Sequence, residues 1–349
     1  MSDVAKLLPL SALVALVLVG APPGGARVQP RTITVMTRNL YLGANLDPIL
    51  QAKSFPDALG AVATRWQLVQ ANDFRVRAGA IAHEIQTVRP DVVGFQELVL
   101  YRTQTPSDFL QSSARSVVLD YKAELQHALR ARKLGYHFVG VDTNTDAELP
   151  SGSPATMDIR LTVRNGLLVK NGVRIRNVRI GNFRASDPVI PGLVTATRGW
   201  VSADATVGGR TFRVIVTHLE SFKPAAVAEA QSLELIDGPA RTRLPVVLLG
   251  DLNSRPDGST TKSYANFIGA GFTDAWAQAY PGRPGLTCCH GEDLRIVGGP
   301  FTERIDYVLT RGRVRALRGG ITGEAPSSRL GGLWPSDHGG LWMTLRLPG

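Results

Sequence analysis

The sequence predicts a single α/β domain, and three observations predict it. Strand-like and helix-like segments alternate through the first half of the chain, two alternating apolar runs meet at Gly208-Gly209 near its middle, and no linker-like stretch divides it. At 44% hydrophobic and 19% charged residues, the composition is that of a chain that buries a core. A length of 349 residues would hold two average domains, yet large two-sheet folds run beyond about 250 residues as one unit.

Thr32–Asn39 reads as a strand that delivers polar residues at its end. Asn72 and Asp73 cap a helix running to about Val88, with Val76, Ala80, Ile81, Ile85 and Val88 on one face and Arg89-Pro90 ending it. A short apolar strand follows over 91–97, then a helix over 117–133 and a strand over Tyr136–Val141. The polar, Gly- and Pro-rich stretch 142–154 reads as a loop. Strands are expected at Gly166–Lys170 and 173–180, with a further loop over 182–192. The clearest local signal is the hairpin of 200–207 and 211–219 about its Gly-Gly turn. A helix over 225–236, strands over 245–250, 304–310 and 341–347, and a Gly- and Pro-rich excursion over 281–300 complete the chain.

Polar clusters fall at or just past these strand ends: Asn39, Gln96-Glu97, His218, Asp251 with Asn253, and Asp337-His338, with Asp306 inside a sixth strand. Strand-end loops are where rigid scaffolds present reactive groups. Glu97 and Asp337, with Asn39 as a neutral neighbour, form an oxygen-rich set suited to a hard divalent cation. Each cluster alone has a bland reading, since an Asp after an apolar strand is often a turn or helix cap, and Gln96-Glu97 could be a solvated strand end. Asp306 inside a strand needs a partner if buried. His83, His127, His137 and His290 read as packed or surface residues. Cys288 and Cys289, the only cysteines, are adjacent, which leaves a strained small ring, buried thiols or intermolecular pairing open and gives a tetrahedral zinc site little support.

The strings Asn39-Leu40-Tyr41, Gln96-Glu97, Thr217-His218-Leu219-Glu220, Gly250-Asp251-Leu252-Asn253-Ser254, Arg304-Ile305-Asp306-Tyr307 and Ser336-Asp337-His338 resemble, in kind and in order, the motifs of the endonuclease/exonuclease/phosphatase family, which shares the fold of the pancreatic-type deoxyribonucleases. The resemblance implies a four-layer α/β sandwich, two stacked and mainly antiparallel sheets flanked by helices, as one catalytic domain over 27–349. It implies a metal-dependent phosphoester hydrolase with Mg²⁺ or Mn²⁺. Glu97 would be the principal ligand, supported by Asn39 and Asp337. Asp251 and Asn253 would align water and phosphate, Asp306 would hold His338, and His218 would contact the phosphate. Either the Asp or the His would serve as the base.

The chain departs from the family pattern at Asn165, where an acid usually orients the residue equivalent to His218. Asn accepts a hydrogen bond but supplies no charge to favour an imidazolium. Either His218 acts as a neutral donor or Asp158 supplies the missing acid. A non-catalytic module of the same fold is the reading this departure prompts, and the intact Glu97, Asp251, Asn253, Asp306, Asp337 and His338 argue against it.

Lys6, the apolar run from Leu7 to Val19 and the small residues that follow have the layout of a secretory signal over 1–26. The apolar run is shorter than the roughly 20 residues a membrane span requires. The net charge of +10 survives cleavage, because Lys6 and Asp3 cancel. A basic, exported protein favours a polyanionic substrate, nucleic acid ahead of a lipid of the sphingomyelin or phosphoinositide type. A lipid enzyme should show an exposed apolar loop, for which Phe183 and Leu193 are the candidates. Mass spectrometry of the protein from its native host is expected to find the mature N-terminus at Pro22 or Arg27. An intact Met1 on a cytosolic form would refute export.

Overall fold

A computed structural model describes residues 32–348 except 110–112, 153, 191 and 222–223. The expected signal segment lies outside the described residues. Two six-stranded sheets form the centre. The first runs Arg315–Thr322, Gly340–Arg346, Thr32–Asn39, Val92–Gln96, Gly166–Lys170, Tyr136–Val141, and the second runs Thr273–Asp274, Asp306–Arg311, Val246–Asp251, Arg210–His218, Gly199–Val207, Arg174–Asn182. Each sheet holds one parallel pair, Thr32–Asn39 with Val92–Gln96 and Arg210–His218 with Val246–Asp251, and is otherwise antiparallel.

The sheets stack because their central strands are apolar on the facing sides. Val35, Val92, Leu167 and Val169 of the first pack with Val214, Val216, Val247, Leu249 and Val308 of the second, all fully buried. A Cβ on Gly94 would lie 2.9 Å from both Val216 and Leu249, so glycine is what allows the two sheets to approach as they do there. Outside the first sheet, helices Phe74–Val88 and Tyr121–Ala131 cover Met36, Val93 and Phe95 with Phe74, Ile81, Ile85 and Leu125. Outside the second, Ala225–Asp237 and Ser263–Gly269 cover Ile215, Leu248 and Leu309 with Ala228, Leu235 and Phe267. The result is the helix, sheet, sheet, helix layering that the motif resemblance implied.

Several local expectations are corrected. The helix expected over 117–133 begins only at Tyr121, where the Asp120 side chain caps it by accepting from Lys122 N at 3.1 Å. The β-branched pair Val117-Val118 lies instead in strand Ser116–Asp120, paired with Leu100–Gln104. The loop expected over 142–154 contains strand Asp146–Ser151, and 182–192 contains the first strand of a hairpin, Asp187–Ile190 with Val194–Ala196. Strands Ser116–Asp120, Leu100–Gln104, Met157–Thr162 and Asp146–Ser151 make a separate four-stranded sheet. Helix Phe55–Ala71 was not expected; Ser54 caps it through Asp57 N, and Pro56 occupies its first turn.

Arg38, fully buried in the first strand, makes a two-point ion pair with Glu84 of helix Phe74–Val88, both contacts 3.0 Å. Burial raises the Glu84 carboxyl above its usual range, and the guanidinium opposes that shift. Glu84→Leu leaves the Arg38 charge buried without a counterion and is expected to cost about 3–5 kcal/mol in urea denaturation, with much of the loss recovered in Arg38→Met/Glu84→Leu. A loss under about 1 kcal/mol would place the pair among the negligible ones.

Candidate active site

Register brings the polar clusters to one end of the sandwich. His218 pairs with Asp251, Asp251 pairs with Asp306, and Asn39 pairs with Gln96, each at the end of its strand. Asp337-His338 immediately precedes the antiparallel strand Gly340–Arg346, so it opens at the same edge. Tyr41, Glu97 and Asn253 adopt left-handed backbone, with φ of 60°, 55° and 47°, and turn the chain sharply just beyond these strands.

Asp251 is the hub. Its Oδ2 accepts from Asn39 Nδ2 at 3.0 Å and lies 3.5 Å from His218 Nε2 and 3.9 Å from His338 Nε2, while its Oδ1 accepts from Asn253 N at 3.0 Å. Asp306 Oδ2 meets His338 Nδ1 at 2.8 Å and also accepts from Thr287 Oγ1 at 2.7 Å. Arg38 donates to the backbone carbonyl of His338. Glu97 accepts from Asn39 Nδ2 at 3.1 Å and from Leu42 N at 2.6 Å. Asn39 spends its own carbonyl on Tyr41 N, 2.9 Å away, and turns its amide nitrogen to the two carboxylates. In this arrangement the Asn39 amide nitrogen bridges the Glu97 and Asp251 carboxylates.

Arg77, fully buried in helix Phe74–Val88, holds the loops around this edge. It donates to Leu40 O at 2.6 Å, Asn72 O at 2.7 Å, Pro335 O at 3.1 Å, Tyr41 O at 3.3 Å and Tyr121 Oη at 2.9 Å. The Tyr121 and Tyr101 hydroxyls both donate to Leu42 O, at 2.9 and 3.0 Å.

The partner of His218 is one that sequence reasoning missed. Arg198 Nη1 stands 3.1 Å from His218 Nδ1, and Glu220 holds the same guanidinium at 3.0 and 3.3 Å. Asn165 donates instead to Asp142 and to Gly199 O. Asp158 lies in the four-stranded sheet, accepting from Ser107 Oγ and Asp108 N. Neither orienting candidate meets His218. A guanidinium only donates, so Nδ1 turns its lone pair to Arg198, while at the other ring nitrogen Asn253 Nδ2, which donates to Leu219 O at 2.9 Å, stands 3.0 Å from Nε2. The only sequence signal was Glu220 inside the Thr217-His218-Leu219-Glu220 string; nothing marked Arg198.

The family model for the Endonuclease/Exonuclease/phosphatase family matches residues 64–338. The chain belongs to this family. It is therefore a metal-dependent phosphoric ester hydrolase, as the motif order implied. No curated protein matches the sequence. Among solved structures, an endonuclease/exonuclease/phosphatase from Beutenbergia cavernae DSM 12333 is similar at 22% identity and TM-score 0.58, covering 91% of this chain and 72% of that one. The mannosyl-6-phosphatase of Bacteroides thetaiotaomicron VPI-5482 is similar at 16% identity and TM-score 0.54, covering 90% and 99%. The human Nocturnin catalytic domain with bound sulfate is similar at 18% and 0.52, covering 91% and 96%.

The residues of this family member fit the divalent ion. Burial raises both the Glu97 and the Asp337 carboxyls, and Asp337 raises Glu97 further, a repulsion that a cation between hard oxygen donors relieves. Asp251, Asp306 and His338 place ligand-type atoms within 4.8 Å of one another, as do Glu148 and Asp158 of the four-stranded sheet with Asp108 from the loop beside it. The two histidines differ in charge. Burial, Arg198 and His338 hold His218 well below the usual imidazole range, so it is neutral. At His338 burial opposes the charge, but Asp306, Asp337 and Asp251 outweigh it and keep the ring protonated. Burial and Asp306 push Asp251 up to about 7. Cys288 and Cys289 are joined as a vicinal disulfide, with Cys288 Sγ 3.6 Å from His338 Nε2. His83, His127 and His137 are exposed, and His290 is packed between Phe301 and Trp334.

Replacing the cation beside His218, Arg198→Gln, is expected to raise the His218 titration in NMR spectra. An unmoved titration would mean that burial alone sets its charge.

Proposed function

We propose that the protein is an exported phosphodiesterase in which Asp251 receives the proton of the attacking water while both histidines face the phosphate. The observation that carries this is the position of Asp251 Oδ2, the one carboxylate oxygen within 4 Å of both Nε2 atoms among the described residues. Water adds to phosphorus, its proton passes to Asp251, the P–O bond to the departing group breaks, and His338 Nε2–H protonates the departing oxygen. His218 stays neutral against the phosphate, and Asn253 Nδ2, 3.0 Å from its Nε2, offers a donor to a phosphoryl oxygen. Glu97 and Asp337 would hold Mg²⁺ or Mn²⁺, which supplies charge neutralisation at the phosphoryl oxygens when bound. Asp306 and Thr287 keep the His338 ring in place.

Export rests on the N-terminal layout. The preference for nucleic acid rests on net charge, which explains attraction to phosphate but does not choose among its esters. No helix of the described residues is long and apolar enough to cross a membrane.

The test is turnover of bis(p-nitrophenyl) phosphate. Excess chelator is expected to abolish it, and Mg²⁺ or Mn²⁺ to restore it. Asp306→Asn and His338→Ala should each cost about a hundredfold or more, and the double variant little beyond the worse single. Full turnover in chelator, or losses that multiply, would sink the assignment.

A further inference from the structure

We propose that the ester cleaved here carries an aliphatic chain, and that a cavity opening off the phosphate site houses it. The inference rests on the phosphoesterase reading and adds the substrate class. A cavity of about 340 Å³ has Asp251, Asn253, His218 and Arg198 at one end. Away from them its wall is mainly apolar, with Asn45, Asp47 and Thr145 among Val62 and Trp66 from helix Phe55–Ala71, Leu149 and Ile159 from the four-stranded sheet, and Ile190 and Val194 from the short hairpin. A second cavity of about 430 Å³ adjoins it, sharing Ile49, Leu50, Val62, Leu149, Val189 and Ile190. That outer cavity is rimmed by Phe55 and Leu193, which are 61% and 43% exposed. Of the two residues named from the sequence as apolar-loop candidates, Phe183 is buried and Leu193 stands at this rim.

The path from phosphate site to surface is thus polar at one end and mainly apolar beyond it, with Phe55 and Leu193 at its mouth, the distribution of an amphiphilic phosphoester. A nucleic acid strand fits it poorly. Each neighbouring phosphate would need a cation or water, whereas among the described residues both arginines lining the inner cavity are already paired, Arg65 with Glu292 at 2.8 Å and Arg198 with Glu220 at 3.0 Å. Among the described residues the outer cavity adds one basic residue, Lys53.

Calorimetric titration of the Mg²⁺-loaded protein with n-alkyl phosphates, butyl to decyl below their micelle concentrations, tests this. Affinity is expected to rise about fourfold per added methylene until the cavity is full, with an increasingly negative heat-capacity change. Leu149→Asp and Ile190→Arg should flatten the series; Ile190 lies on a half-exposed hairpin, so that variant carries the test if Leu149→Asp fails to fold. Affinity independent of chain length, or displacement of decyl phosphate by micromolar single-stranded oligonucleotide, would overturn the inference. Bis(p-nitrophenyl) phosphate turnover in the same preparation separates the two ideas. Turnover with a flat series overturns the chain-binding inference alone, and a steep series without turnover supports chain binding and removes the catalytic reading.

Discussion

The buried guanidinium of Arg77 is the constraint on which the site depends. Four backbone carbonyls and one phenol receive its hydrogens, and those carbonyls belong to the loop after the first strand, the turn before Asp337 and the start of its own helix. Burying such a charge is costly unless every donor is satisfied, and here each nitrogen has a partner. Through Tyr121 the same group reaches Leu42, whose amide holds Glu97. Loops that would otherwise be the most mobile part of a two-sheet fold are tied to a helix, so the carboxylates keep their separation without help from each other.

Sheet register completes what the loops begin. Because His218, Asp251 and Asp306 are cross-strand neighbours, a slip of one residue would turn Asp251 to the opposite face and remove the hub. Packing on both faces opposes that slip, since it would exchange Val214, Val216, Val247, Leu249 and Val308, which fill the space between the sheets, with Ile215, Leu248 and Leu309, which fit the helices outside. Core packing and catalytic alignment are therefore one constraint seen from two sides of the same strands.

The strand ends were legible in the sequence because each is a short local string: apolar run, then Asp, Asn or His. Thr32–Asn39 and Tyr136–Val141 and the central hairpin carry their own periodicity and turn, and were expected where they lie. What was not legible depends on distant partners. Leu100–Gln104 and Asp146–Ser151 are short, half-buried strands that exist because Met157–Thr162 pairs with both. Arg198 looks like any arginine between strands until folding sets Glu220 and His218 around it. The same applies to the cavity: the chemistry sits on the legible elements, while helix Phe55–Ala71, strands Asp146–Ser151 and Met157–Thr162, and the Asp187–Ala196 hairpin, which wall the cavity, were read as loop or passed over.

The left-handed backbone of Tyr41, Glu97 and Asn253 limits how this enzyme can evolve toward heat resistance. Such a conformation costs a residue with a side chain roughly 1–2 kcal/mol, and glycine is the substitution that relieves it. At Glu97 and Asn253 glycine would delete the groups that face the ion and the phosphate. Selection for a more durable protein therefore has to work elsewhere, in the surface helices or the outer loops, and lineages adapted to hot habitats should keep the strained turns at Glu97 and Asn253.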